Sequence, residues 1–349
     1  MLTMKQFLKK QINAGFLLMA MAVLVLTGCQ KDSDGSPDVK TGGMTSGTIN
    51  PGSAAGGEVI TLTGEGLGRI QSIVFDKNNV PAPFMSTLNT TTDLVFRVPD
   101  TAFGGPQNVI FTNADGKTLS VPFSVIALPN VTSAFPTDFE AGTQVTLTGN
   151  NLDDVTAVVL EGTTDACTIV SQTRKQMVLT MPTSTADRAK LKLTNASGIR
   201  ITDMEFVNVG RALTVFTEQL NNGFENWGWG GDYNASTDDK ITGTKCLKAA
   251  YDPAGTWGGM QLGNGGSINI TGYRYFSFWA KGADVDKNVQ FLINWGNQKV
   301  ITIPANKWTY FRYDLTTAYP GLSSSVNNVT FQIQEAGKTL LFDNIMFFK

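Results

Sequence analysis

An internal repeat constrains the fold of this chain most strongly. Residues 57–75 read GEVITLTGEGLGRIQSIVF, and residues 142–160 read GTQVTLTGNNLDDVTAVVL, so the two stretches align without a gap. Both contain a Thr-Leu-Thr-Gly run, and Leu67 and Leu152 stand three positions after the glycine. Apolar and polar residues alternate within each copy, which is the period of β-strands. The sequence therefore predicts two copies of one small β-sandwich domain.

The repeat also resembles a known family. The spacing from Pro51 and Pro136 through a glycine to the Thr-Leu-Thr-Gly run is similar to that of IPT/TIG domains, which are immunoglobulin-like. The resemblance implies TIG-like domains at 46–127 and 128–210. Gly64 and Gly149 are expected where the strand turns and carries Leu67 and Leu152 into the core. Residues 46–210 contain no Trp or Tyr, which favours a spacer role, with protein docking as the alternative.

The N-terminus has the pattern of an export signal. Lys5, Lys9 and Lys10 precede an apolar run over 14–26 that is too short to span a bilayer. The run ends in Leu-Thr-Gly-Cys at 26–29, which resembles a bacterial lipobox. The resemblance implies a lipoprotein signal peptide at 1–28 and lipidation of Cys29. Residues 30–34, a basic residue followed by acids, are similar to the surface-export signal of Bacteroidetes lipoproteins, which implies an outer-membrane anchor facing the cell exterior; the alternative is a generic polar tether. The polar residues at 29–45 predict a flexible linker.

Composition excludes several classes of function. Histidine is absent, which removes Ser-His-Asp catalysis and His-ligated metal sites. The net charge of −2 offers no basic surface, so we expect no nucleic-acid partner. Cys167 and Cys246 fall in different predicted domains and are expected to be small buried hydrophobic residues without a disulfide.

The last third of the chain differs sharply in composition. All six Trp and all seven Tyr lie after residue 210. Predicted strands at 213–220, 247–251, 273–281, 289–295, 299–304, 308–315, 328–335 and 339–348 favour a jelly-roll β-sandwich over 211–349. The segments at 276–282 and 339–345 look like strands of carbohydrate-binding jelly rolls. The predicted fold class is all-β: two immunoglobulin-like sandwiches, then a jelly roll.

Exposed tryptophans are the first candidates for a binding site. A sugar ring stacks its C–H face on a flat aromatic ring, and its hydroxyls need donors and acceptors nearby. Trp227, Trp229 and Tyr233 alternate in a Gly- and Asn-rich stretch and are predicted to share one face. Trp257 and Trp295 are predicted in loops or at a hairpin tip. The alternative is that these side chains close one end of the core; for Trp279 and Trp308, in apolar strands, we expect a structural role.

Amide side chains supply candidate polar partners. Strand alternation places Gln290 with Asn294, and Gln332 with Gln334, on polar strand faces. If both strands share a sheet, these amides form one surface suited to neutral sugar hydroxyls. The alternative is an ordinary solvated sheet face.

Two acidic residues raise the question of a metal. Glu218 and Asp343 lie on the predicted first and last strands of the jelly roll, where related modules often hold a structural calcium. The alternative is a pair of capped or solvated acids, and no cofactor is required by the sequence.

The order of the parts adds a further resemblance. A lipobox, tandem TIG domains and an aromatic-rich sandwich resemble the surface glycan-binding lipoproteins encoded beside SusC/SusD-type uptake systems in Bacteroidetes. The resemblance implies non-catalytic capture of a polysaccharide, and the scarcity of charge near the aromatics favours a neutral one. The alternatives are an adhesin that binds proteins, and a glycosidase that uses a pair among Glu218, Glu225 and Glu335.

Overall fold

The computed structural model describes residues 43–349. The predicted signal peptide, Cys29 and nearly all of the predicted linker lie outside the described residues. Within residues 43–349, no helix has the length and apolar character needed to cross a bilayer.

The first domain is a β-sandwich with its own core. Its strands are β1 (Thr45–Asn50), β2 (Ser53–Ala55), β3 (Val59–Glu65), β4 (Ile70–Phe75), β5 (Val80–Pro81), β6 (Asp93–Arg97), β7 (Gly105–Asn113) and β8 (Thr118–Ile126), with 3-10 turns at Lys77–Asn79 and Ser86–Leu88. One sheet has the order β1-β3-β6 and the other β2-β8-β7-β4-β5. Alternate residues of both sheets, among them Leu62 and Phe111, point into the core.

The second domain repeats this plan. Its strands are β9 (Asn130–Phe135), β10 (Asp138–Phe139), β11 (Gln144–Asn150), β12 (Ala157–Leu160), β13 (Thr168–Gln172), β14 (Gln176–Thr180), β15 (Arg188–Ala189), β16 (Leu191–Asn195), β17 (Gly198–Ile201) and β18 (Phe206–Asn208). The main sheet has the order β13-β14-β11-β9, and two three-stranded sheets, β12-β16-β17 and β10-β18-β15, complete the sandwich.

The repeated glycines have one physical reason in both domains. A Cβ on Gly64 would lie 2.1 Å from the carbonyl oxygen of Thr45, and one on Gly149 would lie 1.9 Å from that of Asn130. Each glycine therefore lets the first strand of its domain pass close by. Leu67 and Leu152 are fully buried just beyond, which confirms the predicted entry of both leucines into the cores.

The third domain is a larger antiparallel sandwich, as the jelly-roll prediction requires. Its strands are β19 (Leu213–Phe216), β20 (Glu225–Asn226), β21 (Gly231–Ser236), β22 (Cys246–Tyr251), β23 (Gly258–Asn269), β24 (Tyr275–Lys281), β25 (Lys287–Ile293), β26 (Gly296–Ile303), β27 (Trp308–Asp314), β28 (Ser325–Ile333) and β29 (Thr339–Phe348), with one short helix, α1 (Leu315–Ala318). The inner sheet has the order β21-β22-β29-β24-β27, with β19 beside β29. The outer sheet has the order β20-β23-β28-β25-β26. A core rich in phenylalanine fills the space between them.

The sequence missed strands in this domain. The longest, β23, contains five glycines and lies in a stretch where no strand was predicted. Strand β21 was also missed. Glycine weakens the local preference for strand, so only pairing with β20 and β28 identifies β23 as part of the sheet.

The three domains are docked on one another. Arg174 of the second domain donates to the carbonyl of Thr101 in the first at 2.6 Å. Glu205 of the second domain accepts from Arg312 of the third at 2.9 Å, and Arg188 pairs with the same carboxylate. A separate buried apolar cluster joins the second and third domains through Val207, Val209, Met346 and Phe348. These contacts fix how the second domain presents the third.

Candidate functional site

The candidate site is the exposed face of the outer sheet in the third domain. Successive side chains of a strand point to opposite faces, and Met260 and Leu262 of β23 lie in the core. The intervening positions Gly259, Gln261 and Gly263 therefore face outward. By the observed pairing, Gln332, Thr330 and Asn328 of β28 stand beside these three positions in that order. We call this surface, formed by the outward positions of β23 and β28, the outer face.

The edge strand supplies two tryptophans to this face. The amide of Trp227 donates to the Gln261 carbonyl at 2.8 Å, and Trp229 forms a two-way bridge with Gly259, at 3.0 and 2.9 Å. Because both tryptophans pair with outward positions of β23, their indoles lie over the outer face.

Glycine allows the Trp227 indole to lie flat on the sheet. A Cβ on Gly263 would meet three adjacent ring carbons of Trp227 at 2.0, 2.1 and 2.6 Å. Such similar distances place the missing Cβ over the face of the ring, because a contact with the ring edge would be much shorter to one atom than to its neighbours. Trp227 is 42% exposed, and because one ring face is covered by Gly263, the exposed area belongs to the opposite face and the ring edge.

Gly259 holds the Trp229 indole in the same way. A Cβ there would lie 2.3, 2.4 and 2.7 Å from three carbons of the Trp229 benzo ring. The Cα atoms of Gly259 and Gly263 are separated by four residues of strand, or about 13 Å at 3.3 Å per residue. The two indoles are therefore spread along β23 over a length greater than that of one sugar ring.

A third indole reaches the face from the opposite side. Trp295 lies in the two-residue turn between β25 and β26, where Ile293 pairs with Gly296. Its ring stacks on that of Trp229, with centroids 5.8 Å apart and an interplanar angle of 29°. Trp295 is 50% exposed. The predicted hairpin position of Trp295 agrees with this geometry.

A fourth tryptophan, Trp257, lies at the start of β23. It directly precedes the strand and is 58% exposed, the highest value among the tryptophans. Its carbonyl lies against Gly230, because a Cβ on Gly230 would be 2.6 Å from that oxygen. Trp257 is thus next to Trp229 at the end of the outer sheet.

The amide-lined surface predicted between two strands is present in part. β25 and β28 are neighbours, Gln290 pairs with Gln332, and the Gln332 amide donates to the Gln290 oxygen at 3.3 Å. Gln332 and Thr330 are buried although they point outward, so Gln290 and Gln261 are the more accessible polar groups here. Gln334 is exposed just beyond the end of β28.

The predicted placement of Tyr233 is wrong. Its side chain is only 3% exposed and belongs to the core cluster. The chain turns at Gly230, whose φ is +66°, and enters the inner sheet as β21, so alternation from Trp229 does not continue. The Tyr233 hydroxyl donates to the Trp229 carbonyl at 2.8 Å, and burial raises its pKa. Tyr233 therefore supports Trp229 from inside the sandwich.

The predicted placement of Asn294 is also wrong. β25 ends at Ile293, so Asn294 lies in the turn with φ +52° and not on the strand face. Its amide donates to the Ser325 carbonyl at 2.8 Å, and its side-chain oxygen accepts from the Asn327 amide at 2.8 Å. These bonds tie the hairpin to the start of β28.

Glu218 and Asp343 face hydrogen-bond donors in the loop before β22. Both oxygens of Glu218 accept from Thr244, and Asp343 accepts from the amides of Ile241 at 2.8 Å and Asn344 at 2.8 Å. Burial raises the pKa of Asp343 to about 7. Because N–H groups point at both carboxylates, this arrangement does not fit a cation. The arrangement therefore disfavours the predicted calcium site, which addition and removal of Ca²⁺ can test.

The acids considered for glycosidase chemistry have separate partners. Glu335 pairs with Lys287 at 3.3 Å, Glu218 binds Thr244, and Glu225 accepts from the Trp227 indole nitrogen at 3.3 Å. Glu225 is thus the carboxylate at the indole face, and its bond orients Trp227.

The two remaining tryptophans have structural positions, as predicted. Trp279 is buried, its ring meets Phe135 edge-on at 5.5 Å, and its indole nitrogen donates to Asp138 at 2.9 Å. Trp308 is half-buried and donates to Asp239 at 3.1 Å. The residues that sequence reasoning missed are Gly259, Gln261 and Gly263, whose signal was the regular spacing of outward positions in β23.

Comparisons with known proteins agree with this architecture. Residues 129–207 match the IPT/TIG domain family. A comparison with curated proteins gave no match. A surface glycan-binding protein from Prevotella bryantii is similar in structure, with 16% identity and a TM-score of 0.54 over 88% of this chain and 99% of that one. At this identity, the likeness establishes a shared fold.

Two further solved structures are more distant. A protein from a complex xyloglucan utilization locus in Bacteroides uniformis has 16% identity and a TM-score of 0.45, over 88% of this chain and 99% of its own. A family 11 carbohydrate-binding module from Clostridium thermocellum, in complex with a mixed-linked tetrasaccharide, has 12% identity and a TM-score of 0.31. It covers 39% of this chain and 94% of the module.

Proposed function

We propose that the chain is a non-catalytic polysaccharide-binding protein whose third domain holds the glycan on the outer face. The observation that carries the proposal is the group of indoles on that face, of which Trp227 and Trp295 are exposed. An indole that lies flat on a sheet has one free face, which is the surface on which a pyranose ring stacks. Gln261 and Gln290 lie on the same face and supply donors and acceptors for hydroxyls.

The proposed ligand is a neutral polysaccharide. The aromatic surface runs along the strand from Trp227 to the stacked pair of Trp229 and Trp295, which suits a chain of sugars more than a monosaccharide. Glu225, which accepts a hydrogen bond from Trp227, would repel an anionic glycan. The shared fold with a surface glycan-binding protein supports a glycan as the ligand.

We further propose that the first two domains are spacers and that Cys29 carries a lipid anchor in the outer membrane, facing outward. The docking contacts between domains favour a rigid stalk, and the lipobox supports the anchor. A SusC/SusD-type uptake system is the proposed partner, on the resemblance in domain order alone.

Affinity electrophoresis in gels containing neutral plant polysaccharides tests the proposal. We expect retardation in at least one gel, and no reducing ends after prolonged incubation of the protein with that polysaccharide. Migration unchanged by every polysaccharide would contradict glycan binding, and released oligosaccharides would favour a glycosidase. Protease digestion of whole cells, with a Cys29→Ala variant as control, tests the outward-facing anchor.

A further inference from the structure

We propose that Trp295 presents the principal sugar-contacting ring of the site and that Trp229 is a positioning residue that holds it. This inference rests on the proposed function and assigns different roles to two indoles of one face. Three observations support it: the stacking of Trp295 on Trp229, the strained turn that carries Trp295, and the hydrogen bonds that fix the Trp229 backbone.

The Trp229 ring lies between Gly259 of β23 and the ring of Trp295. One face of its ring lies over Gly259, as the position of the missing Cβ shows. The stacked Trp295 ring overlaps part of the other face, because a 5.8 Å centroid separation with a 29° angle describes an offset stack. Trp295 is half exposed, whereas Trp229 is less so. A sugar that approaches this stack therefore meets Trp295.

The turn that carries Trp295 is strained in a specific way. Asn294 and Trp295 have φ values of +52° and +57°, the pattern of a two-residue type I′ hairpin turn. Asn followed by Gly is the preferred pair in this turn, because the left-handed region is unfavourable for a residue with a Cβ. A bulky indole at the second position is an outlier, and such strain points to a role in function. Glycine at position 295 would make this turn more stable than tryptophan does.

The backbone of Trp229 is fixed from two sides. Its N–H and carbonyl both pair with Gly259, and the carbonyl also accepts from the buried Tyr233 hydroxyl at 2.8 Å. Trp229 is thus a rigid support at the sheet edge, while Trp295 arrives from a hairpin tip on the far side of β28. The stack joins the two across the sheet.

A pair of substitutions separates the two roles. Trp295→Gly restores the preferred Asn-Gly turn, so we expect the melting temperature to stay within a few degrees while affinity for the polysaccharide bound in the gel screen falls at least tenfold. Trp229→Ala should also weaken binding. In the Trp295→Gly background, however, Trp229→Ala should cost little further affinity, since it acts through the ring already removed.

Far-UV circular dichroism gives a readout without glycan. Stacked indoles produce an exciton couplet, which should disappear in both Trp229→Ala and Trp295→Gly and persist in Trp257→Ala, the matched control outside the stack. Calorimetric titration with the retained polysaccharide, xyloglucan and mixed-linkage glucan being the first probes, gives the affinities.

The outcomes distinguish this inference from the proposed function. Wild-type protein that binds no polysaccharide would overturn both, even with the couplet present. Binding by wild type that is unchanged in Trp295→Gly would overturn the role of Trp295 alone. An equal loss from Trp229→Ala with and without Trp295 would show that Trp229 contacts the sugar itself.

Discussion

Asp138 of the second domain accepts a 2.9 Å hydrogen bond from the indole nitrogen of Trp279 in the third domain. Both side chains are buried, and Phe135 packs edge-on against the same indole. A carboxyl group is therefore enclosed at the joint that sets the position of the glycan-binding domain. Burial raises the pKa of Asp138 to about 8, with a further contribution from the neighbouring Asp343.

Because Asp138 is buried, we predict that the free energy of unfolding decreases as pH rises. The ordinary pKa of Asp138 is 3.8 and the folded-state value is about 8, so folding favours the protonated form. The resulting stabilisation is complete below about pH 4 and is lost as pH rises through about 8. Its slope is at most about 1.4 kcal/mol per pH unit for one proton. Asp138→Asn should remove the part of this dependence that Asp138 contributes, leave the part from Asp343, and melt at a higher temperature than wild type at pH 9.

Thermal melts of wild type and Asp138→Asn from pH 4 to pH 9, followed by tryptophan fluorescence, measure the effect. Asp115→Asn, on an exposed turn of the first domain, is the matched control and should follow the wild-type curve. Parallel curves for wild type and Asp138→Asn would show that the acid does not titrate with unfolding.

Calcium should have little effect on this protein. The loop at 241–244 directs amide groups at Glu218 and Asp343, which leaves their oxygens bonded to donors. We expect EDTA and added Ca²⁺ each to leave the melting temperature unchanged. A rise of several degrees in melting temperature with Ca²⁺, absent in Glu218→Gln, would instead support a calcium site at Glu218.

Exposed and buried tryptophans should respond oppositely to truncation. Trp227→Ala removes an indole with one open face, so affinity for polysaccharide should fall about ten- to a hundredfold, or roughly 1–3 kcal/mol, with near-native melting. Trp279→Ala removes a buried ring and the partner of Asp138, and should cost roughly 3–5 kcal/mol of stability. Calorimetry and thermal melts of the two variants measure both quantities. Early melting of Trp227→Ala would assign that residue to the core instead.

The sequence predicted the repeat well because glycine and leucine occupy equivalent positions for the same steric reason in both domains. Gly64 and Gly149 each face a backbone carbonyl, and the leucines beyond them are buried. Local alternation also predicted that Gln290 and Gln332 lie on outward faces, because each belongs to an uninterrupted strand.

Alternation failed where a turn broke the strand. Tyr233 follows a glycine turn into the other sheet, and Asn294 lies one residue beyond the end of β25. Neither strand end is marked by hydrophobic pattern, since pairing with distant strands determines both. The role of Trp295 could not be predicted either, because its stack with Trp229 joins residues that are far apart in sequence.

The glycines of β23 made the strand hard to predict because they have no side chain, and the same absence makes room for the indoles of the site. Gly259 and Gly263 lower strand propensity, yet their missing side chains are the space into which the indoles fit. Composition alone does not distinguish such a strand from a loop. The pairing with β28 establishes that Gly259 and Gly263 both face outward.

Gly263→Ala should therefore impair binding without removing any aromatic residue. The added Cβ would lie 2.0 Å from the Trp227 ring, so the indole must lift from the sheet and lose the orientation fixed by Glu225. We expect affinity for polysaccharide to fall about tenfold, or roughly 1.4 kcal/mol, and Trp227 to become more accessible to acrylamide quenching. Gly265→Ala is the matched control on the same strand, because a Cβ there meets nothing within 4 Å. Equal affinities for the two alanine variants would show that the flat seating of Trp227 is not needed to bind glycan.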